Sequence, residues 1–291
     1  MEEIVQEFRT HLSRLGYSPG SQRMLPACVA EFLQYTGKPL QRLHARDITR
    51  YHDYLHERPN QRRAGGLSEM MIHHHLYALR LLFIYLEQTG QITASPMSGL
   101  LFPQPRHGSR AILSPVDIQM LFDKAQTLRQ KSLLHLCYSC GLRRNEAVQL
   151  NVRDIHFRSR LLYVRSGKGA KRRAIPLPEK VSEELKLYYM HERPELAQAA
   201  RPTEAFILNV RGGRLQGGRM NTILQALAEQ AGIAPSISLH NLRHSIATHL
   251  LANGLPVEQV RDFLGHAHLE STQLYTQIDA QQLQVWNSET I

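Results

Sequence analysis

Cysteine is scarce: the 291 residues hold only Cys28, Cys137 and Cys140. An odd and small number excludes a disulfide-built scaffold and suits a reducing compartment. No apolar run approaches the length of about 18 residues that marks a membrane span. The opening MEEIVQEFRT is acidic and amphipathic, without the basic-then-apolar order of a secretory signal. No G-x-x-x-x-G-K-[ST] loop is present, so nucleotide hydrolysis has no support. Internal repeats and long low-complexity tracts are missing as well. Acidic residues are in deficit, 25 against 35 Lys and Arg, giving a formal net charge of +10. That surplus favours a polyanion, nucleic acid first, although a merely soluble basic protein would show the same balance. The expectation is a cytoplasmic chain of one large or two modest domains.

What is present reads as mainly α with a small antiparallel β-sheet. Apolar residues recur at helix spacing at Ile4, Val5, Phe8, Leu12 and Leu15, at Leu25, Val29, Phe32 and Leu33, and at Leu76, Leu79, Phe83 and Leu86. Each stripe is too narrow to be buried all round, so residues 1–95 are expected to form a helical bundle. Prolines 96, 103 and 105 with glycines 99 and 108 break the pattern, and 96–113 reads as a linker. Ser114-Pro115-Val116-Asp117 is a helix start that opens a second domain, 114–291. Residues 115–150 read as helical. Two strands, 161–165 and 172–176, flank the turn Ser166-Gly167-Lys168-Gly169-Ala170, and a short strand is expected at 206–208.

Several polar groups invite chemistry. In LHNLRHSIATHL (239–250), Leu242, Ile246 and Leu250 share one helical face, and His240, Arg243 and His244 cluster on another. A fork of fixed charge beside an imidazole suits a phosphate, and a solvated polar face explains the same pattern. His240 and His244 also have the spacing of a helical zinc pair, but Asn241 stands where a general-base glutamate belongs, so no metal is expected. His73-His74-His75 reads as part of a surface helix. Cys137 and Cys140 match C-x-x-C, yet they continue the stripe of Leu133 and Leu136 and read as buried packing. Gly141 is expected to end that helix, and a new one opens near Arg143 with Glu146 three residues on. Lys168 on its glycine-bracketed turn is surrounded by basic residues, among them Arg172 and Arg173. Arg42, Arg46 and Arg50 are expected to line one helix edge and, with Arg172 and Arg173, to meet a DNA backbone, although a solvated charged face explains the same stripe equally well.

The order of these stretches is more specific than any one of them. Gly141-Leu142-Arg143-Arg144-Asn145-Glu146, then Gly167-Lys168-Gly169, then His240-Asn241-Leu242-Arg243-His244, then Leu264-Gly265-His266, then Tyr275 resembles the tyrosine recombinase (phage integrase) family. The segment from Ser238 to Thr276 looks especially like the bacterial Xer-type recombinases. The resemblance spans roughly residues 115–277. It implies a helical DNA-clamping domain followed by a catalytic domain, acting on a double-stranded DNA recombination site. It implies that Arg143 and Arg243 hold the scissile phosphate with His240 and His266, and that Lys168 protonates the leaving oxygen. Tyr275 is then the nucleophile, and Glu146 supports the first arginine. No cofactor is implied; a dimer on one site and a tetramer in synapsis are. The run Ala267–Leu274 departs from the family's usual β-branched pair, which bears on partner choice more than on chemistry. A DNA-binding regulator that cuts nothing, a zinc hydrolase and a type I topoisomerase remain as alternatives.

Overall fold

The computed structural model describes residues 2–60, 64–104, 111–165, 172–198, 202–234 and 236–265. Lys168, His266 and Tyr275 lie outside the described residues. The chain divides into two compact units, Met1–Gly108 and Ser109–Ile291.

The first unit is built from helices α1 (Glu2–Arg14), α2 (Pro19–Thr36), α3 (Ala45–Glu57) and α4 (Glu69–Gln88). Their limits follow from local chemistry. The Ser18 hydroxyl accepts from Ser21 N at 3.2 Å, with Pro19 in the first turn, and Gly37 closes α2 at φ 59°. Ser68 caps α4 in the same way. The apolar stripes converge on one core around Phe8, Leu12, Phe32, Ile48, Tyr51 and Phe83. His75 belongs to that core and not to the expected surface, because its Nδ1 pairs with the Tyr51 hydroxyl at 3.0 Å. Burial first, then the neighbouring Arg58, hold its imidazole down at about 4. Met97 is also buried in this core, inside the stretch read as linker.

Arg42 departs from the expected stripe. It ends a 3₁₀ turn at Leu40–Arg42, and Leu43 and His44 are extended before α3 begins, so only Arg46 and Arg50 share a helix edge. All three are exposed.

The second unit surrounds a larger core. The helical stretch 115–150, with its expected break at Gly141, is three pieces: α5 (Pro115–Lys124), α6 (Leu128–Cys137) and α7 (Arg144–Gln149). Ser114 and Asp117 form a reciprocal cap on α5, Asp117 N donating to Ser114 Oγ and Ser114 N to Asp117 Oδ2. Thr127 and Gln130 repeat that arrangement at α6, which is why the helix restarts there. A three-stranded antiparallel sheet follows in the order β1 (Ile155–His156), β2 (Leu161–Val164), β3 (Arg173–Pro176). Leu162 faces Ile175, and Val164 faces Arg173. The expected strand at 206–208 is replaced by two isolated bridges, Asn151 with Ala205 and Leu208 with Arg214. Phe206 N donates to Leu150 O and Leu215 N to Ile207 O, and Arg193 and Arg214 add donors to Ala205 O and Leu150 O. Helix α8 (Glu179–Leu187) runs through a π turn at Tyr188–Glu192 into α9 (Arg193–Ala197). Helices α10 (Gly217–Gln230), α11 (Leu239–Ala252) and α12 (Val257–Leu264) complete the unit. Ser245 Oγ accepts from Leu113 N at 2.8 Å, and Asn241 donates to Ala111 O at 2.9 Å, tying the segment before α5 to α11. Cys137 and Cys140 are free and fully buried, and burial pushes the Cys137 thiol up to about 12. No described helix is long and apolar enough to cross a membrane.

Gly141 decides how α6 turns into α7. It sits at φ 57°, and a Cβ there would lie 2.8 Å from Leu264 Cδ2 and 3.1 Å from Phe263. Gly141→Ala should therefore lower unfolding free energy by about 2–4 kcal/mol, combining left-handed strain with overpacking. Urea denaturation of the two proteins checks this; a loss below about 0.5 kcal/mol would show that α12 shifts freely.

A candidate phosphate site at the end of α12

Four charged side chains from separate elements meet at the C-terminus of α12. Arg143 precedes α7, Glu146 lies in its first turn, Arg173 begins β3 and Arg243 lies inside α11. Local chemistry sets the first pair: Arg143 N donates to Glu146 Oε2 at 2.8 Å, and Arg143 Nη1 donates to Oε1 at 2.9 Å. One carboxylate thus starts the helix and orients the arginine in front of it. Arg173 completes the carboxylate as a fork, Nη1 on Oε1 at 3.0 Å and Nη2 on Oε2 at 2.7 Å. Arg243 approaches the same carboxylate more loosely, at 4.0 Å.

The guanidiniums also answer the backbone. The last carbonyls of any helix lack intrahelical donors and carry the negative end of its dipole. Here Arg173 Nε donates to Phe263 O at 3.0 Å, Arg243 Nη2 to Leu264 O at 2.6 Å and Arg143 Nη2 to Gly265 O at 2.9 Å. Arg243 Nη1 also donates to Gly141 O. Gly265 turns away at φ 65° directly against Arg173.

The electrostatics follow from the count. Burial would push the Glu146 carboxyl up, but Arg173 first and Arg143 next outweigh it and hold it at about 2. Three guanidiniums facing one carboxylate leave an excess of positive charge. Burial first, then its neighbours Arg143 and Arg173, push Arg243 down to about 9, which still leaves it charged at neutral pH. The cluster is suited to an anion. Exposure decides which arginine a ligand meets: the Arg143 side chain keeps 24% of its surface, against 8% for Arg243 and 2% for Arg173.

Some expected positions fall elsewhere. Arg243 does not lie on a solvated face with His240 and His244: it is buried, while both histidines are exposed. His240 stands one turn ahead of Arg243 on α11, on the same side by helix spacing. Arg172 is exposed, but Arg173 is not available as a DNA contact, because its fork is buried against Glu146. Arg173 is the residue that the sequence reading misassigned. Strand alternation held the signal, since Arg173 and Ile175 share the buried face of β3 and Arg172 does not. Among the described residues no group of three or more His, Cys, Asp or Glu side chains is placed to hold a metal ion.

The phage integrase family model matches residues 112–282, more than half of the chain. The chain belongs to the phage integrase family. Relatives within it agree. Tyrosine recombinase XerC of Chromobacterium violaceum is 32% identical over 97% of this chain and 92% of that protein. Tyrosine recombinase XerD of Listeria monocytogenes is 33% identical, with 74% of each chain covered. Tyrosine recombinase XerD of Mycobacterium tuberculosis is 44% identical over 56% of this chain, and the chain spans only 53% of that relative's length. Among solved structures, the Tn1549 transposon integrase in complex with circular intermediate DNA gives a TM-score of 0.71 at 16% identity, covering 94% of this chain and 97% of that one. A lambda integrase dimer bound to a core site gives 0.68 at 14% identity, covering 98% and 95%. At those identities the likeness is one of fold, mostly helical with a small antiparallel sheet.

Glu146 makes the integrase fold of this chain sensitive to acid in a calculable way. Its ordinary value is 4.5 and its folded value about 2. A carboxyl held down on folding contributes stability above its unfolded value and loses it as pH falls through the folded one. The contribution is about 3 kcal/mol at neutral pH, lost between about pH 5 and about pH 2. Glu146→Gln should therefore be less stable than wild type at pH about 6, and the gap should close toward pH about 3. Urea midpoints at the two pH values measure it; a gap that does not change with pH would mean that Glu146 is not held as its partners imply.

Proposed function

We propose that the chain cuts and rejoins DNA strands at specific sites through a covalent 3′-phosphotyrosine on Tyr275, within a synaptic multimer. The observation that carries this reading is the cation cluster of Arg143, Arg173 and Arg243 around Glu146, with excess positive charge and with Arg143 open to solvent. A DNA phosphodiester is an anion of the kind this cluster suits. The family membership and the position of Tyr275 after Gly265 in the sequence support the same assignment.

The chemistry that the residues would perform is strand transfer without net bond loss. A tyrosine hydroxyl titrates near 10, so full ionisation at neutral pH costs about 4 kcal/mol. Nearby guanidiniums offset a cost of that size in a partly desolvated site. The Tyr275 oxygen attacks phosphorus while charge grows on the equatorial oxygens, which Arg143 and Arg243 meet with His240 and His266 as further donors. The bond from phosphorus to the 5′ oxygen breaks, and Lys168 gives that oxygen its proton. The phosphate stays on the 3′ oxygen and now links it to the tyrosine. A 5′ hydroxyl from the partner strand reverses the step, so neither ATP nor a metal is required. The first unit is the DNA clamp in this reading, with exposed Arg42, Arg46 and Arg50 on the backbone, and exposed Arg172 of the second unit meets the backbone as well. Double-stranded DNA is the partner, bound by a dimer at one site and a tetramer in synapsis, in the cytoplasm.

Tyr275→Phe should still retard DNA in a native gel and yet form no protein–DNA adduct under denaturing conditions; an adduct that persists removes Tyr275 as the nucleophile. Lys168→Ala should cleave normal DNA about 10²–10⁴-fold more slowly, the usual worth of a placed general acid. On a substrate whose leaving group is a 5′ sulfur, which needs no proton, the rate should recover. No recovery on the sulfur substrate rules out the general-acid role.

A further inference from the structure

Arg173 is the cation of the cluster to which strand cleavage gives no duty. Its side chain is 2% exposed, so no phosphate reaches it from solvent. Its three nitrogens are all engaged, two on Glu146 and Nε on Phe263 O. A buried full charge is hard to retain unless its geometry is tightly met. We propose that Arg173 is a positioning residue for strand cleavage, fixing Glu146 and the last turn of α12 and, through both, setting Arg143 and Arg243 around the scissile phosphate. This inference rests on the recombinase reading above.

Two paths lead from Arg173 to the same pair of guanidiniums. The first runs through the carboxylate. Both oxygens of Glu146 take a hydrogen from Arg173 and one from Arg143, so the fork stops the carboxylate from turning about its last torsion. With the fork removed, Arg143 loses the fixed direction of its acceptor. The second path runs through the backbone. Arg173 holds Phe263 O, and the next two carbonyls, Leu264 and Gly265, are the acceptors of Arg243 and Arg143. Gly265 permits this approach: a Cβ there would lie 2.9 Å from Arg173 Nη1. A lysine at 173 would keep the charge but not the planar fork, and could meet only one path at a time.

The test uses the full chain on suicide DNA substrates carrying either the normal phosphodiester or a neutral methylphosphonate at the cut. Guanidinium placement matters where the phosphate bears its charge, so a positioning defect shows on the first substrate and fades on the second. Arg173→Gln should cleave the phosphodiester about 10–100-fold more slowly, the scale of a misplacement of about 1 Å. On the methylphosphonate it should keep pace with wild type, and binding in a native gel should not change. Arg143→Ala should show the same selectivity. An equal deficit on both substrates, or wild-type cleavage of the phosphodiester by Arg173→Gln while Arg143→Ala is impaired, overturns the inference alone. An Arg143→Ala that cleaves both substrates normally also overturns the inference alone, whereas wild type that cleaves neither substrate overturns the recombinase reading and the inference with it. Thermal melting accompanies each variant. If Arg173→Gln does not fold, Arg173→Lys, which keeps the charge, is read by the same comparison.

Discussion

The structure around the candidate site depends on one buried carboxylate. Glu146 starts α7, orients Arg143, accepts the fork of Arg173 and sits at 4.0 Å from Arg243. Helices α7 and α11 and strand β3 therefore meet through charge at a place where they would otherwise meet through apolar packing. Such a contact is costly to desolvate and strongly destabilising to break, since removing one partner leaves the others buried and unpaired. The cluster is retained at that cost because apolar packing could not hold two cations at the edge of the core, facing outward with charge to spare.

That excess charge is what separates a binding site from a structural ion pair. A balanced network would satisfy itself. Here Arg243 titrates well below the ordinary arginine range because burial and two like charges surround it. An anion arriving at Arg143 would offset that repulsion. The helix end adds to it in a different way. The carbonyls of Phe263, Leu264 and Gly265 accept from the three arginines and hold their planes before any ligand arrives. Donors fixed in advance need no reorganisation when charge develops on a phosphate, which is the condition under which electrostatic stabilisation works best.

Much of this was legible in the chain. The stripes that build both cores, the Ser114–Asp117 cap and the two strands near 161–165 and 172–176 follow from periodicity, residue type and capping chemistry. The motif order brings Arg143, Glu146 and Arg243 into one list before any fold is known. What could not be read was depth. Arg243 falls on the polar side of α11 by spacing, yet it is buried because α12 ends above it and offers Leu264 O as a partner. His75 stands in a run of polar residues, but Tyr51 on another helix supplies its acceptor or donor. In each case the partner is distant in sequence and sits on a second element, so local pattern assigns the side chain to water. Arg42 failed for the opposite reason: two extended residues interrupt a regular spacing that residue type alone suggests.

Arg173 combines both problems and shows where the family motif ends and the physics of this chain begins. Read as a charge on a basic hairpin, it belongs with Arg172 and Lys168 as a surface contact. Read as the first residue of β3, it alternates inward with Ile175, and an inward arginine must find a carboxylate and a carbonyl or shift its charge state. It finds both, in Glu146 and Phe263. The neighbour that points outward, Arg172, is left for solvent or DNA. A period of two residues thus divides one basic stretch into a structural charge and a surface charge. The same division explains how β3 can be anchored to the arginine pair while Arg172 beside it stays exposed.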